Sequence, residues 1–241
     1  MVGEGRGLSL DTTVRLVTFN IQHGRGPWGR VDVVELGREC ARLAPDVLGL
    51  QEVDAGMARS HRADLAAEAG RAAGMAVAFG PACSFPDGGR YGNALLVRGS
   101  LEDVEVTGLP RRSRGEARAA VVAVAVVGGH RMSVAVCHLG VDPREATEQL
   151  AAVLDLLAAR PAPRALLGDL NLAPCRVAPL VGEAGLGLAG GPPTFPSLFP
   201  VRRIDHVAGA GLTFTATAAP RSSVSDHRPL VVEAAPCEGE G

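Results

Sequence analysis

Val-Val-Ala-Val-Ala-Val-Val, residues 121–127, is the stretch on which the fold turns. With Ala119 and Ala120 before it, the run has no polar position, so neither face of the strand it forms meets water. Strands of that kind are buried on both sides. Gly128-Gly129 follows, and then the apolar-rich stretch from Arg131 to His138. Two glycines between two such runs signal a tight hairpin. A hairpin buried on both faces needs a second layer above it and a third below. Two sheets packed on each other, with helices outside, meet that need.

Working outward, Val14 to Asn20 reads as a strand. Val31 to Leu43 has helical spacing and stops before Pro45. Asp46 to Val53 reads as a buried strand, and the Ala-rich stretch from Arg62 to Gly74 as a helix with a glycine stop. Short strands follow near 75–79 and 93–97, with a weakly alternating one at 104–109. Pro143 to Ala159 reads as a helix with proline at its first position and Pro161 just beyond it. Ala165 to Asp169, Ile204 to Ala208, Leu212 to Thr217 and Pro229 to Glu233 are further strands. Hairpins mixed with crossover helices predict mixed sheets in an α/β chain. No linker or internal repeat interrupts them. The expected organisation is one domain over 13–234, with flexible ends at 1–12 and 235–241.

Composition narrows the function. The chain has 241 residues, 46% hydrophobic, and a formal net charge of -2. Such a balance provides no global basic field for nucleic acid. All 24 basic residues are arginine, so a cationic phosphate contact must come from Arg or a protonated His. The five cysteines are far apart and odd in number, which argues against a disulfide framework or a thiolate zinc site. No apolar run is long enough for a membrane span and no signal peptide is visible, so the expected location is cytoplasmic.

Polar residues cluster where the apolar strands end: Asn20, Gln51-Glu52, His138, Asp169 with Asn171, Asp205-His206 and Asp226-His227. Strand ends are where a rigid scaffold aims its chemistry. Carboxylates, amides and histidines together suit metal-assisted phosphoester cleavage. A hard cation such as Mg²⁺, or Mn²⁺, takes oxygen ligands, and Glu52 and Asp226 are the candidates, with Asn20 nearby. Asp169 is the candidate to position the attacking water. His138, His227 and the Asn171 amide are candidate donors to the charge that develops on phosphorus-bound oxygens. Asp205 can hold His227 cationic. Each residue also has a plainer reading: Asp169 and Asn171 equally suit an Asx turn before Pro174, and Asp205 an ion pair with Arg202 or Arg203.

Eight blocks in order then reveal a resemblance: TFNIQHG (18–24), LQEVD (50–54), RYGNALL (90–96), RGEARAAV (114–121), VCHLG (136–140), LLGDLNLAP (166–174), RRIDHV (202–207) and SDHRPLVV (225–232). The chain resembles the endonuclease/exonuclease/phosphatase superfamily, the DNase I-like fold. The resemblance implies a four-layer sandwich of two mixed β-sheets flanked by helices. It implies Glu52 as metal ligand with Asn20 beside it, Asp226 close to the metal, Asp169 orienting the water and Asn171 on the phosphate. It also implies an Asp205–His227 pair and in-line cleavage without a covalent intermediate. His138 matches the histidine of the DNase-like branch. Arg118 resembles the family arginine that reaches the phosphate, and Asn93, His23 and Tyr91 are further phosphate-side candidates.

The expected activity is a phosphodiesterase for a small-molecule or lipid-headgroup phosphodiester. The alternatives are a DNA endonuclease or exonuclease and a non-catalytic phosphate-binding module. Against the nuclease stand the net charge and an aromatic content of only 3%. In favour of a lipid stands GGPPTFPSLFPVRR (190–203), which reads either as an apolar lip or as an ordinary packed loop.

Overall fold

The computed structural model describes residues 13–112 and 115–237. The chain runs β1 (Val14–Asn20), α1 (Val33–Arg42), β2 (Val47–Ala55), α2 (Leu65–Ala73), β3 (Ala76–Ser84), β4 (Arg90–Val97), β5 (Ser100–Gly108), β6 (Ala119–Val127), β7 (His130–His138), α3 (Pro143–Ala158), β8 (Arg164–Asp169), α4 (Pro174–Glu183), β9 (Gly187–Leu188), β10 (Asp205–Ala210), β11 (Leu212–Ala218) and β12 (Leu230–Pro236). The strands form two six-stranded sheets, ordered β11-β12-β1-β2-β4-β3 and β5-β6-β7-β8-β10-β9. Each is mixed: β1 runs parallel to β2 in the first and β7 to β8 in the second, and the other pairs are antiparallel. A helix makes the crossover in both cases, α1 in the first sheet and α3 in the second.

Burial follows the four layers. Between the sheets, Leu16, Leu95, Val121, Ala123, Val134, Val136, Leu167 and Val232 pack in one cluster. Alternate residues of the same strands turn outward. Val122, Ala135 and Leu166 meet Leu150, Leu157 and Val177 of α3 and α4, while Val17, Phe19, Leu48 and Leu50 meet Leu36 and Leu65 of α1 and α2. The 121–127 run therefore divides its side chains between two cores, which is why none is polar. Gly128 and Gly129 both have positive φ, 56° and 85°, as a two-residue hairpin turn demands. The sheets approach closely at Gly80, where a Cβ would lie 2.3 Å from Val121, and at Gly49, where it would lie 3.0 Å from Val136.

Three of the four helices start on aspartate caps that the sequence reading did not single out. Asp32 accepts from the Glu35 N–H, Asp64 from Ala67, and Asp142 from Arg144 and Glu145, with Pro143 behind it. Three features go beyond the sequence reading. The strand expected at 104–109 begins at Ser100: it is an exposed edge strand of the second sheet, with charged residues and a bulge between Glu102 and Glu105 that hide its alternation. Pro174 opens a helix rather than merely closing a turn. β12 continues through Ala235 and Pro236, where it still pairs with β11, so ordered structure passes the expected boundary at 234. The expected flexible start at 1–12 and the last residues, 238–241, lie outside the described residues.

Candidate active site

The ends of β1, β7 and β8, the bulge within β2, the start of β10 and the loop before β12 meet at one end of the space between the sheets. In the second sheet, His138, Asp169 and Asp205 form one rung: His138 pairs with Asp169 and Asp169 with Asp205. Directly paired residues point the same way, and here that direction continues the inter-sheet face of Val136, Leu167 and Val207. All three are buried, with Asp169 2% exposed.

His227 closes over this rung. Its Nδ1 lies 2.9 Å from Asp205 Oδ2, and its Nε2 lies 3.7 Å from Asp169 Oδ2. Burial opposes a charged imidazole here, but Asp205, by charge and hydrogen bond, and then Asp169 and Asp226 outweigh it and push His227 up to about 9. Asp169 is raised by burial and by the neighbouring Asp205. It still accepts an amide N–H from Asn20 at 3.0 Å and the Asn171 backbone N–H at 3.1 Å. A carboxylate raised towards neutrality is a more effective proton acceptor than an ordinary aspartate.

His138 is the opposite of His227. Arg118 Nη1 donates to its Nδ1 at 2.9 Å, and a guanidinium can only donate. The ring proton therefore sits on Nε2, which lies 3.5 Å from Asp169 Oδ2. Burial, then the charges of Arg118 and His227, keep His138 well below the usual histidine range. The site thus holds one neutral and one cationic imidazole on either side of one carboxylate. The Asn171 amide N–H is directed to the Leu139 carbonyl at 2.9 Å, close to His138 Nε2.

The first sheet contributes the other half. Asn20 pairs with Gln51. Strict alternation after Leu48 and Leu50 would turn Glu52 into the helix-side core. Instead β2 bulges against β4 between Leu50 and Val53, and Glu52 takes φ 57°, a left-handed conformation unfavourable for glutamate. The bulge brings its carboxylate to within 3.0 Å of the Asn20 amide nitrogen. Asn20 Nδ2 thereby donates to Glu52 of one sheet and to Asp169 of the other. Asp226 accepts from Gln22 Nε2 at 3.0 Å. Glu52 is raised by burial and, among nearby charges, chiefly by Asp226; Asp226 is raised by burial.

Two groupings are candidates for a metal ion. Asp169, Asp205 and His227 each bring one ligand atom within 4.8 Å of the others. Asp205 Oδ2 is engaged by His227 Nδ1 and the Thr194 hydroxyl, and Asp169 Oδ2 by Asn20, so these atoms form a proton network, while the buried Asp205 Oδ1 has no hydrogen-bond partner among the described residues. Glu52 and Asp226 have only the amides of Asn20 and Gln22 as side-chain hydrogen-bond partners among the described residues. Two partly buried carboxylates without a cationic partner, beside amide oxygens, fit a hard divalent cation.

The remaining expected residues divide. Arg118 reaches the centre through His138 and is held by Glu116 at 3.0 Å. Asn93 donates to the Ala119 carbonyl at 2.7 Å and so ties β4 to the second sheet. Tyr91 lies under the Arg59 guanidinium, 5.2 Å from ring centre to carbon, and Arg59 forks onto buried Asp54. His23 is lowered by burial and then by the charge of Arg59.

The sequence profile of the Endonuclease/Exonuclease/phosphatase family matches residues 17–227. The chain belongs to this family. It is an enzyme of the phosphoester-hydrolase class, as the eight sequence blocks imply. No curated protein matches it. Solved structures with the same fold include an endonuclease/exonuclease/phosphatase from Beutenbergia cavernae, 24% identical over 93% of this chain and 72% of that one (TM-score 0.79). The mannosyl-6-phosphatase of Bacteroides thetaiotaomicron is 15% identical over 92% and 99% (0.72), and the human Nocturnin catalytic domain 20% over 92% and 93% (0.72).

Several residues to which the sequence reading gave no role, two of them inside the family blocks, also build the site. Gln22 holds Asp226. Ser225 Oγ donates to the Asn20 carbonyl at 2.6 Å and accepts the His227 N–H at 3.0 Å. The Phe195 ring lies 4.8 Å from that of His227. Phe195 lies in the 190–203 segment, which the sequence left open between an apolar lip and an ordinary packed loop.

Proposed function

We propose that the chain is a divalent-metal-dependent phosphodiesterase that cleaves a small or lipid-borne phosphodiester by in-line attack of water. The observation that carries this reading is the Asn20 amide. One NH₂ group joins the carboxylate suited to a cation, Glu52, to the carboxylate suited to a base, Asp169. In this reading Asp169 takes the proton of the attacking water. Neutral His138, through Nε2–H, and cationic His227, through its own Nε2–H, donate to the phosphoryl oxygens as negative charge grows on them. Asn171 adds an amide to the same oxygens. Asp205, fixed by Thr194, holds the His227 charge and ring orientation. Glu52, Asp226 and Asn20 would hold Mg²⁺ or Mn²⁺, which when bound supplies Lewis-acid polarisation of the phosphoryl group.

A bis-aryl phosphate tests the proposal. Purified protein should hydrolyse it with Mg²⁺ or Mn²⁺, lose the activity in EDTA, and regain it when metal is restored. Equal inactivity of wild type and Asp169→Ala across a broad phosphoester panel would sink the enzyme reading and favour a non-catalytic phosphate-binding module. A nuclease remains the second reading, because the same fold in a zebrafish TDP2 structure carries a single-strand DNA product (19% identity, TM-score 0.70). Metal-dependent nicking of plasmid DNA that disappears in His227→Ala would put it first.

A further inference from the structure

Among the described residues, the four most exposed large apolar side chains are Trp28 (83%), Phe199 (81%), Val141 (77%) and Val201 (76%). All four stand on loops around the candidate active site. Val141 lies three residues beyond His138. Phe199 and Val201, with Leu198, occupy the tip of a loop whose base is part of the site. Ser197 N–H donates to the Asp226 carbonyl at 2.6 Å, its hydroxyl donates to Ser225, and Arg228 N–H donates to Thr194. Trp28 is on the opposite flank of the same segment: Gly26 packs so closely on Ser223 that a Cβ would lie 2.1 Å from its carbonyl oxygen.

Charge on these loops differs from that of the whole chain. Segments 25–31, 192–203 and 219–229 carry six arginines (Arg25, Arg30, Arg202, Arg203, Arg221 and Arg228) and one acid, Asp226, and the Val141 loop at 139–145 adds Arg144 with Asp142 and Glu145, a surplus of cations in a protein of net charge -2. Arg202 lies over the Phe195 ring and Arg228 Nε donates to the Ser197 carbonyl, so two of the cations sit at the base of the apolar tip. Apolar tips with arginines behind them match a lipid surface, where side chains enter the acyl boundary and guanidinium groups meet phosphate. Single-stranded nucleic acid asks for stacking faces; Trp28 and Phe199 have them, but Leu198, Val141 and Val201, which make up the rest of the apolar rim, have none.

We infer that these loops form a docking surface for an anionic phospholipid membrane, so that the site meets its phosphodiester at the lipid–water boundary. The inference rests on the phosphodiesterase reading for its substrate, but its test does not. Trp28 is the only tryptophan, and its exposure makes its emission a direct reporter of insertion.

The experiment adds vesicles of phosphatidylcholine with about 30% phosphatidylglycerol to the full chain, and follows both co-sedimentation and Trp28 emission. The emission should shift to the blue, with binding about tenfold weaker on pure phosphatidylcholine. A Leu198→Ser/Phe199→Ser variant should bind at least about tenfold more weakly, yet hydrolyse the soluble bis-aryl phosphate within about twofold of wild type. No sedimentation and no emission shift, with soluble activity intact, overturns the docking surface alone. A shift produced by an oligothymidylate and not by vesicles overturns it in favour of nucleic acid. Vesicle binding without any phosphoester activity would support the surface while removing the enzyme reading.

Discussion

The two sheets deliver polar groups to the same place by opposite means. In the second, His138, Asp169 and Asp205 form a straight rung across three paired strands, and none of the three has positive φ. In the first, Glu52 arrives through a bulge with φ 57°. The difference follows from what each half does. Groups that exchange protons need fixed spacing, which a regular ladder provides without strain. A carboxylate meant for a cation must come from a strand position whose natural direction is the helix-side core, and only an irregularity turns it round.

The sharpest way to break the rung is Asp169→Asn. Turnover of the bis-aryl phosphate should fall about 10³–10⁴-fold. Urea unfolding should show stability unchanged or raised, because a carboxylate that burial penalises has gone. A large loss of stability would make Asp169 a structural residue first. The corresponding break in the bulge is Glu52→Asn. Asparagine tolerates left-handed φ, so stability should hold or rise by up to about 1 kcal/mol. Activity should drop by roughly 10²-fold, with a higher Mg²⁺ concentration needed for half-maximal rate. Parallel loss of folding and activity would remove the distinction between the two halves.

Gly168→Ala probes the rung from within. A Cβ there would lie 2.4 Å from the Cys137 carbonyl oxygen, so β7 and β8 must part beside the His138–Asp169 pair. The expected cost is about 1–3 kcal/mol in urea titrations, with an activity loss that metal does not restore. The smallest effect concerns His206, which supports the rung from its outer face. Its Nε2–H donates to the Leu172 carbonyl at 2.8 Å, and burial pushes it down to about 4 from 6.5. The folded state resists protonating this ring while the unfolded chain accepts it. The His206 contribution to stability is therefore full above pH 6.5 and declines as pH falls towards 4. His206→Gln should lessen the decline between pH 7.5 and pH 5 by about 1–2 kcal/mol, measured by urea unfolding at both values.

This comparison also explains what was legible in the sequence. A straight rung is written as polar residues ending apolar strands, so His138, Asp169 and Asp205 stand out. The 121–127 run betrayed the two packed sheets because both of its faces had to be apolar. Glu52 was legible as a polar residue near the end of an apolar strand, but the bulge that turns it inward was not, since no periodicity announces a bulge. Gln22, Thr194 and Phe195 were silent as members of the site: an amide, a hydroxyl and a ring acquire meaning only when the fold sets them beside Asp226, Asp205 and His227. Arg59 was silent for the same reason: only the fold sets it on Asp54 and over the Tyr91 ring.

The Asn20 amide also has a bearing on how the protein ages. Hydrolytic loss of ammonia would convert it to aspartate, replacing a donor shared by two carboxylates with a third negative charge between them. That reaction begins when the backbone nitrogen of the next residue attacks the side-chain carbonyl. Here the Ile21 nitrogen donates to the Gln51 carbonyl at 3.0 Å, and the Gln22 N–H holds the Asn20 side-chain oxygen at 3.0 Å. The neighbour is also β-branched and buried. The group whose chemical decay would do most harm is therefore pinned in a geometry that withholds its attacker, and stored protein should lose Asn20 far more slowly than an unfolded peptide of the same sequence.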